Sequence, residues 1–246
     1  MSIQISDVIR REQESIDGFL SEVQKMTHAL ATVDKSLINL FRGQENDTWD
    51  LMPKIGRPKF LKPDPIKFEK NLLDEFRRLA HSFESNIRGY DTWDILALAQ
   101  HHGMPTRLLD WTTNPLIALW FAFYKEKSDN EKRAVWLITF ETEKVIKASE
   151  TDPYKIGETK IFKPNHINKR IAAQNGWFTS HVYNHDTKKY YPINHQRDFA
   201  GKIIKHVFPN DKRDMFLSQL DLLGINYLSI FPDLEGLSKY LEWRNA

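Results

Sequence analysis

The sequence predicts an α+β fold, with a mixed or antiparallel sheet at its core, helices around it and a leading N-terminal helix. Three observations carry this. Ala134–Phe140 (AVWLITF) is a run of β-branched and aromatic residues of strand length. Residues 66–88 place Phe68, Leu72, Leu73, Phe76, Leu79, Ala80 and Phe83 at helical spacing. Strand-like and helix-like segments also follow one another without the regular alternation that builds a doubly wound sheet.

Taken in order, residues 5–30 read as one helix, because Ile5, Val8, Ile9, Ile16, Phe19, Leu20, Val23 and Met26 fall largely on one face. The domain expectation is a helix over 1–35 followed by one domain over 36–246. Ser36–Arg42 is an apolar strand entering a turn at Gly43. The proline-rich stretch Pro53–Pro65 is a loop of the length that borders sites, since proline removes donors and fixes φ. The helix over 66–88 follows. Trp93–Phe123 then joins two apolar helices through a polar hinge that packing alone does not require. Within the hinge, Pro105–Trp111 reads as a constrained turn, and Asn114-Pro115 as an N-cap and first helical residue before Leu116–Phe123. Beyond the AVWLITF strand, Asp152–Pro164 is irregular and Asn175-Gly176 signals a tight turn. Thr187–Arg197 is polar and aromatic, hence surface. Lys202–Val207 is a strand, Lys212–Leu223 a helix ended by Gly224, Tyr227–Phe231 a strand, and Leu234–Trp243 a closing helix.

Composition limits the function classes. A chain of 246 residues can bury a sizeable core. With 35 basic and 33 acidic residues, total charge argues neither for nucleic acid nor for an anionic membrane, although a local basic groove stays open. The absence of cysteine excludes disulfides and thiolate metal sites. Without a secretory apolar core at the start or a bilayer-length apolar run, a soluble, cytoplasmic protein is expected.

Several residues could carry chemistry. Arg42 ends an apolar strand before a glycine, where its guanidinium could fork onto a phosphate or a ribose hydroxyl, or pair with a buried carboxylate such as Asp110. His101 and His102 are adjacent and lack a ligand at metal spacing, so no metal is expected. His101 is a ligand donor, a general acid, or a cap on its helix C-terminus. Arg107 and Asp110 are spaced to pair on one helical turn. Thr112 and Thr113 lead into a helix start whose free backbone donors suit an anion. Gln174 cannot abstract a proton but can position a substrate or water. Glu141 and Glu143 end a strand, where they are either solvated or catalytic.

The segment FRGQ (Phe41–Gln44), followed by Trp49, Leu51 and Pro53, together with QHHGMPTRLLDWTTNPLIALWFAF, resembles the FRG domain family. So do Arg170, Gln174, Gly176 and Phe178, and the segment FPDLEGL at Phe231–Leu237; the likeness spans roughly residues 37–241. His102 stands where a tyrosine is common in the family. The order of parts in turn resembles the ADP-ribosyltransferase superfamily. That resemblance implies NAD as a cofactor or substrate, gripped by Arg42, Gly43 and Gln44, with Arg107, Asp110, Thr112 and Thr113 lining its pocket. Arg42 and His101 would act in catalysis, with Gln174 or Glu143 in the place of the superfamily's glutamate. TRLLDWTT departs from the superfamily's Ser-Thr-Ser, and Gln174 supplies no carboxylate. The rival expectation is a non-catalytic module that senses a nucleotide or modified nucleic acid, serving bacterial or phage defence. A nuclease ranks last for want of clustered carboxylates.

Overall fold

The computed structural model describes residues 8–33, 36–84, 86–126, 131–148, 151–165, 169–199 and 201–245. The strands are β1 (Ile9–Glu12), β2 (Leu37–Gln44), β3 (Leu108–Thr112), β4 (Arg133–Glu141), β5 (Lys160–Phe162), β6 (Gly176–Ser180), β7 (Tyr183–Asn184), β8 (Lys189–Tyr190) and β9 (Ile203–Phe208). The helices are α1 (Ile16–Val33), α2 (Pro65–Leu79), α3 (Thr92–His101), α4 (Pro115–Phe123), α5 (Lys169–Ala173), α6 (Arg213–Leu222), α7 (Tyr227–Ile230) and α8 (Leu234–Asn245). A 7-stranded mixed sheet runs β1-β9-β4-β2-β3-β6-β5. Among the described strands β1 and β9 pair in parallel and the other ladders are antiparallel, with an isolated parallel bridge between Val145 and Ile161; β7 and β8 form a separate small hairpin. The α+β expectation holds, with α1 as the leading helix.

Apolar side chains cover the sheet on both faces. Phe19, Phe41, Trp120, Phe123, Phe208 and Phe216 join α1, α4 and α6 to the sheet. Trp93, Leu96, Leu108, Phe162 and Phe178 pack α3 beside them. A further cluster contains Leu40, Leu109, Trp111, Trp136, Ile138 and Ile193. The N-cap at α4 is as expected: Asn114 accepts from Leu116 N at 2.9 Å, with Pro115 opening the helix. Asn175 adopts φ 47°, making the turn into β6.

Other expectations are corrected. The predicted helix over 5–30 divides, because residues 9–12 take ladder bonds from β9 and the helix starts at Ile16; residues 5–7 lie outside the described residues. No turn occurs at Gly43, where β2 continues to Gln44 against β4. The second helix stops at Leu79, and Leu79 and Phe83 are exposed rather than on its buried side. Residues 108–112 are not a turn but a strand between β2 and β6. Lys160–Phe162 is a short strand within the stretch expected to be irregular. Tyr190, Ile193 and Asn194 are buried within the segment expected at the surface. Tyr227–Ile230 is helical: Asn226 and Ser229 form a capping box, and Tyr227 docks its ring against Trp120.

Candidate functional site

The sheet splits next to Arg42. β2 and β4 pair along the length of β2, whereas β2 and β3 share only Phe41–Thr112. Past that point Arg42 bridges the gap with its side chain: Nη1 donates to Asp110 O at 2.8 Å and lies 3.4 Å from Oδ2. A cleft of about 470 Å³ opens at this split, lined by Arg42, Gly43, Gln44, His101, Asp110 and Thr112, and also by Gln174. Residues separated by more than a hundred positions thus meet in one place.

Gly43 is required there. A Cβ on it would sit 2.0 Å from Ala118 O and 2.6 Å from Ala122 N, so the missing side chain lets α4 lie directly on β2. This brings Phe121 and Tyr124 to the cleft wall, where Phe231 and Trp49 complete an aromatic lining. Such rings suit stacking on a planar ligand.

The electrostatics favour an anion. Arg42 is 16% exposed, and its Nε is buried without a hydrogen-bond partner. Burial lowers its proton affinity, Asp110 opposes that, and Arg57 reinforces it; a guanidinium nevertheless stays protonated. Asp110 is half-exposed, and its Oδ2 also accepts from Gln100 Nε2 at 2.9 Å. Gln100 is oriented in turn by Thr106 Oγ1, which donates to its Oε1 at 2.6 Å. Asp110 Oδ1 takes no hydrogen bond among the described residues. His101 closes α3 before Gly103, whose φ is 81°. Burial pushes its pKa down to about 4, against the pull of Asp110 and with help from His102 and Arg170. Burial thus favours the neutral ring, whose Nε2 is buried without a hydrogen-bond partner.

Four candidates are placed differently from expectation. Arg107 does not pair with Asp110. Its Nε and Nη2 each lie 2.7 Å from the fully buried Glu69, its Nη1 donates to Pro153 O at 2.7 Å, and its guanidinium stacks over Tyr154. Burial opposes that charge, but Glu69 outweighs it and raises the arginine's proton affinity. Glu143 sits in a helical turn beyond the far end of β4, whereas Arg42 pairs opposite Trp136. Thr113 is exposed and does not line the cleft, while Thr112 does, its Oγ1 accepting from Asn114 N at 3.1 Å. The α4 start is not part of the lining either; the helix presents Ala118 and Phe121 instead. Gln44 lines the cleft, but its amide is taken up by Trp136 Nε1 and Asp50 O. Gln174 donates to Ile230 O at 3.3 Å.

Sequence reasoning missed Arg57, Gln100, Tyr124 and Arg170 as lining residues. The length of the proline-rich loop was the available signal for Arg57. Arg170 is held by Asp233 and Glu235 and lies over Phe231.

The fold and cleft together define an α+β protein with an arginine-lined, aromatic-walled cleft in a split sheet. A family model, the FRG domain, matches residues 38–131. That stretch is similar to the FRG domain, and the match includes Arg42, Arg57, His101, Asp110 and Thr112. The segments at Arg170–Phe178 and Phe231–Leu237 lie beyond the matched residues. Neither a curated protein nor a solved structure matches the chain. Among the described residues, no helix is long and apolar enough to cross a membrane.

Proposed function

We propose that the cleft binds a nucleotide-type ligand, with NAD the candidate that the resemblance to ADP-ribosyltransferases implies. One observation supports this above the rest: Arg42, whose buried Nε makes no hydrogen bond, lines an aromatic-walled cavity of about 470 Å³, within the size range of small-molecule sites. Guanidinium groups match phosphate by charge and geometry, and Phe121, Tyr124 and Phe231 add aromatic surface to the cleft wall. NAD and ADP-ribose are titrated calorimetrically against the chain and against Arg42→Ala, with folding checked by circular dichroism. Binding that Arg42→Ala loses is expected. No saturable binding to the folded wild-type chain at millimolar ligand would refute the reading.

A second reading, cleavage of NAD, draws on the half-exposed Asp110 carboxylate, which lines the same cleft as Gln174. In such a step the bond between ribose C1′ and the nicotinamide nitrogen breaks. Its electron pair leaves with nicotinamide and neutralises the pyridinium. Water, or a hydroxyl of a macromolecular target, adds to the ribosyl cation, and Asp110 accepts the proton released. Arg42 stabilises the charge of the bound phosphate, and Gln174 positions the nucleophile. Nicotinamide release that Asp110→Asn abolishes while binding persists would support the enzyme. Binding without turnover would leave a sensor, the form suited to a role in bacterial or phage defence.

A further inference from the structure

We propose that the cleft is built for two adjacent anionic groups, a diphosphate gripped between Arg42 and Arg57, with Arg57 setting that preference. The proposal rests on the nucleotide reading above and adds Arg57 as the residue that selects a diphosphate over a single phosphate.

Cations around the cleft are mostly compensated. Lys125 pairs with Glu45 at 2.9 Å, Arg170 pairs with Asp233 and Glu235, and Arg42 shares the carboxylate of Asp110. Arg57 lines the same cleft and makes no ion pair among the described residues. Its charge is close enough to Arg42 to weaken that residue's hold on its proton. Two like charges converging on one cleft repel each other, and an anion spanning both turns that cost into attraction. A single phosphate is matched by one fork and leaves the other guanidinium unmatched; a diphosphate engages both.

The loop bearing Arg57 is fixed in advance. Ile55 is fully buried and its N–H donates to Thr106 O at 3.3 Å; Lys54 Nζ donates to Gly103 O. A Cβ on Gly56 would lie 2.6 Å from Met52 Sδ and 2.9 Å from Tyr190 Cβ, so the chain is pressed against its neighbours immediately before Arg57. Pro58 follows and opens the next helical turn. The backbone is therefore held while the side chain stays exposed, which reduces the ordering cost on binding.

The test is calorimetric titration of the full chain with ADP, AMP and inorganic pyrophosphate. ADP is expected to bind at least about tenfold tighter than AMP, the effect of one charge-assisted interaction. Arg57→Ala, an exposed site that leaves the fold intact, should bring ADP down to the AMP level with AMP changed by less than about twofold, and Arg57→Lys should restore part of the difference. Equal ADP and AMP affinities in the wild-type chain, or an equal loss of both in Arg57→Ala, would overturn the proposal while leaving the nucleotide reading intact. Pyrophosphate binding without nucleotide binding would support the two-arginine grip and sink the nucleotide reading. Binding of none of the three would remove both.

Discussion

Replacing Glu69 by Gln tests whether Arg107 is a strut or a ligand contact. Glu69 is fully buried, and it accepts from Arg107 N at 2.6 Å and Nε at 2.7 Å, with Nη2 also 2.7 Å away. Arg107 extends the link to Pro153 O, so the pair ties α2, the start of β3 and the loop before β5 together. Glutamine keeps the shape but removes the charge, leaving a buried cation without its counterion. Breaking a buried pair from one side costs about 3–5 kcal/mol. For a chain of this length each kcal/mol lowers the melting temperature by roughly 2–4 °C, so a drop of roughly 6–20 °C is expected. Thermal melts followed by circular dichroism give the answer. Lys239→Ala serves as the reference, because it breaks an exposed pair with Glu235 that water and salt screen. If Glu69→Gln melted no lower than Lys239→Ala, Arg107 would not depend on Glu69, and its exclusion from the cleft would have to be withdrawn. Removing both charges together, with Glu69→Leu and Arg107→Met, should recover much of the loss, since no lone charge remains.

Four further outcomes are expected. His181 and His206 are fully buried, with pKa values pushed by burial down to about 3 and about 4 from 6.5. The unfolded chain therefore takes up protons that the folded chain refuses. Stability is full above about pH 6.5 and falls towards pH 4, by up to about 1.4 kcal/mol per pH unit for each histidine. Urea midpoints that match at pH 7.5 and 5.5 would contradict this. Gly43→Ala forces β2 and α4 apart at a contact of 2.0 Å, costing about 1–3 kcal/mol and weakening ligand binding; wild-type stability would show that the approach is not tight. Asn114→Ala should cost about 1 kcal/mol in urea unfolding through loss of its bond to Leu116 N, and no change would remove it as the cap. Glu143→Gln should leave NAD binding and any nicotinamide release unchanged, whereas a large loss of either would return that glutamate to the site.

Much of the fold was legible because its causes are local. The continuous run of β-branched and aromatic residues in AVWLITF, the Asn114-Pro115 start of α4 and the turn at Asn175 each depend on residues a few positions apart. Errors arose where distant partners decide. Residues 108–112 are short and flanked by hinge-like signals, and they become a strand because β6, some 68 residues later, completes their ladder. Tyr227–Ile230 has strand-like composition, yet its capping box and the Tyr227–Trp120 contact favour a helical turn. Spacing suggested that Arg107 would meet Asp110, but alternation along β3 and a buried carboxylate on α2 separated them.

The sequence by itself determined the α+β class, the core helix with its cap, the FRG segment and the choice of Arg42 as the residue to watch. Local chemistry and side-chain period suffice for those. Only the tertiary structure decided that Arg42 reaches Asp110 across a split sheet, that Arg57 joins it, and that Arg107 and Glu143 stand elsewhere. A guanidinium takes whichever carboxylate folding brings within about 3 Å, and that proximity depends on strand order and helix docking rather than on distance along the chain.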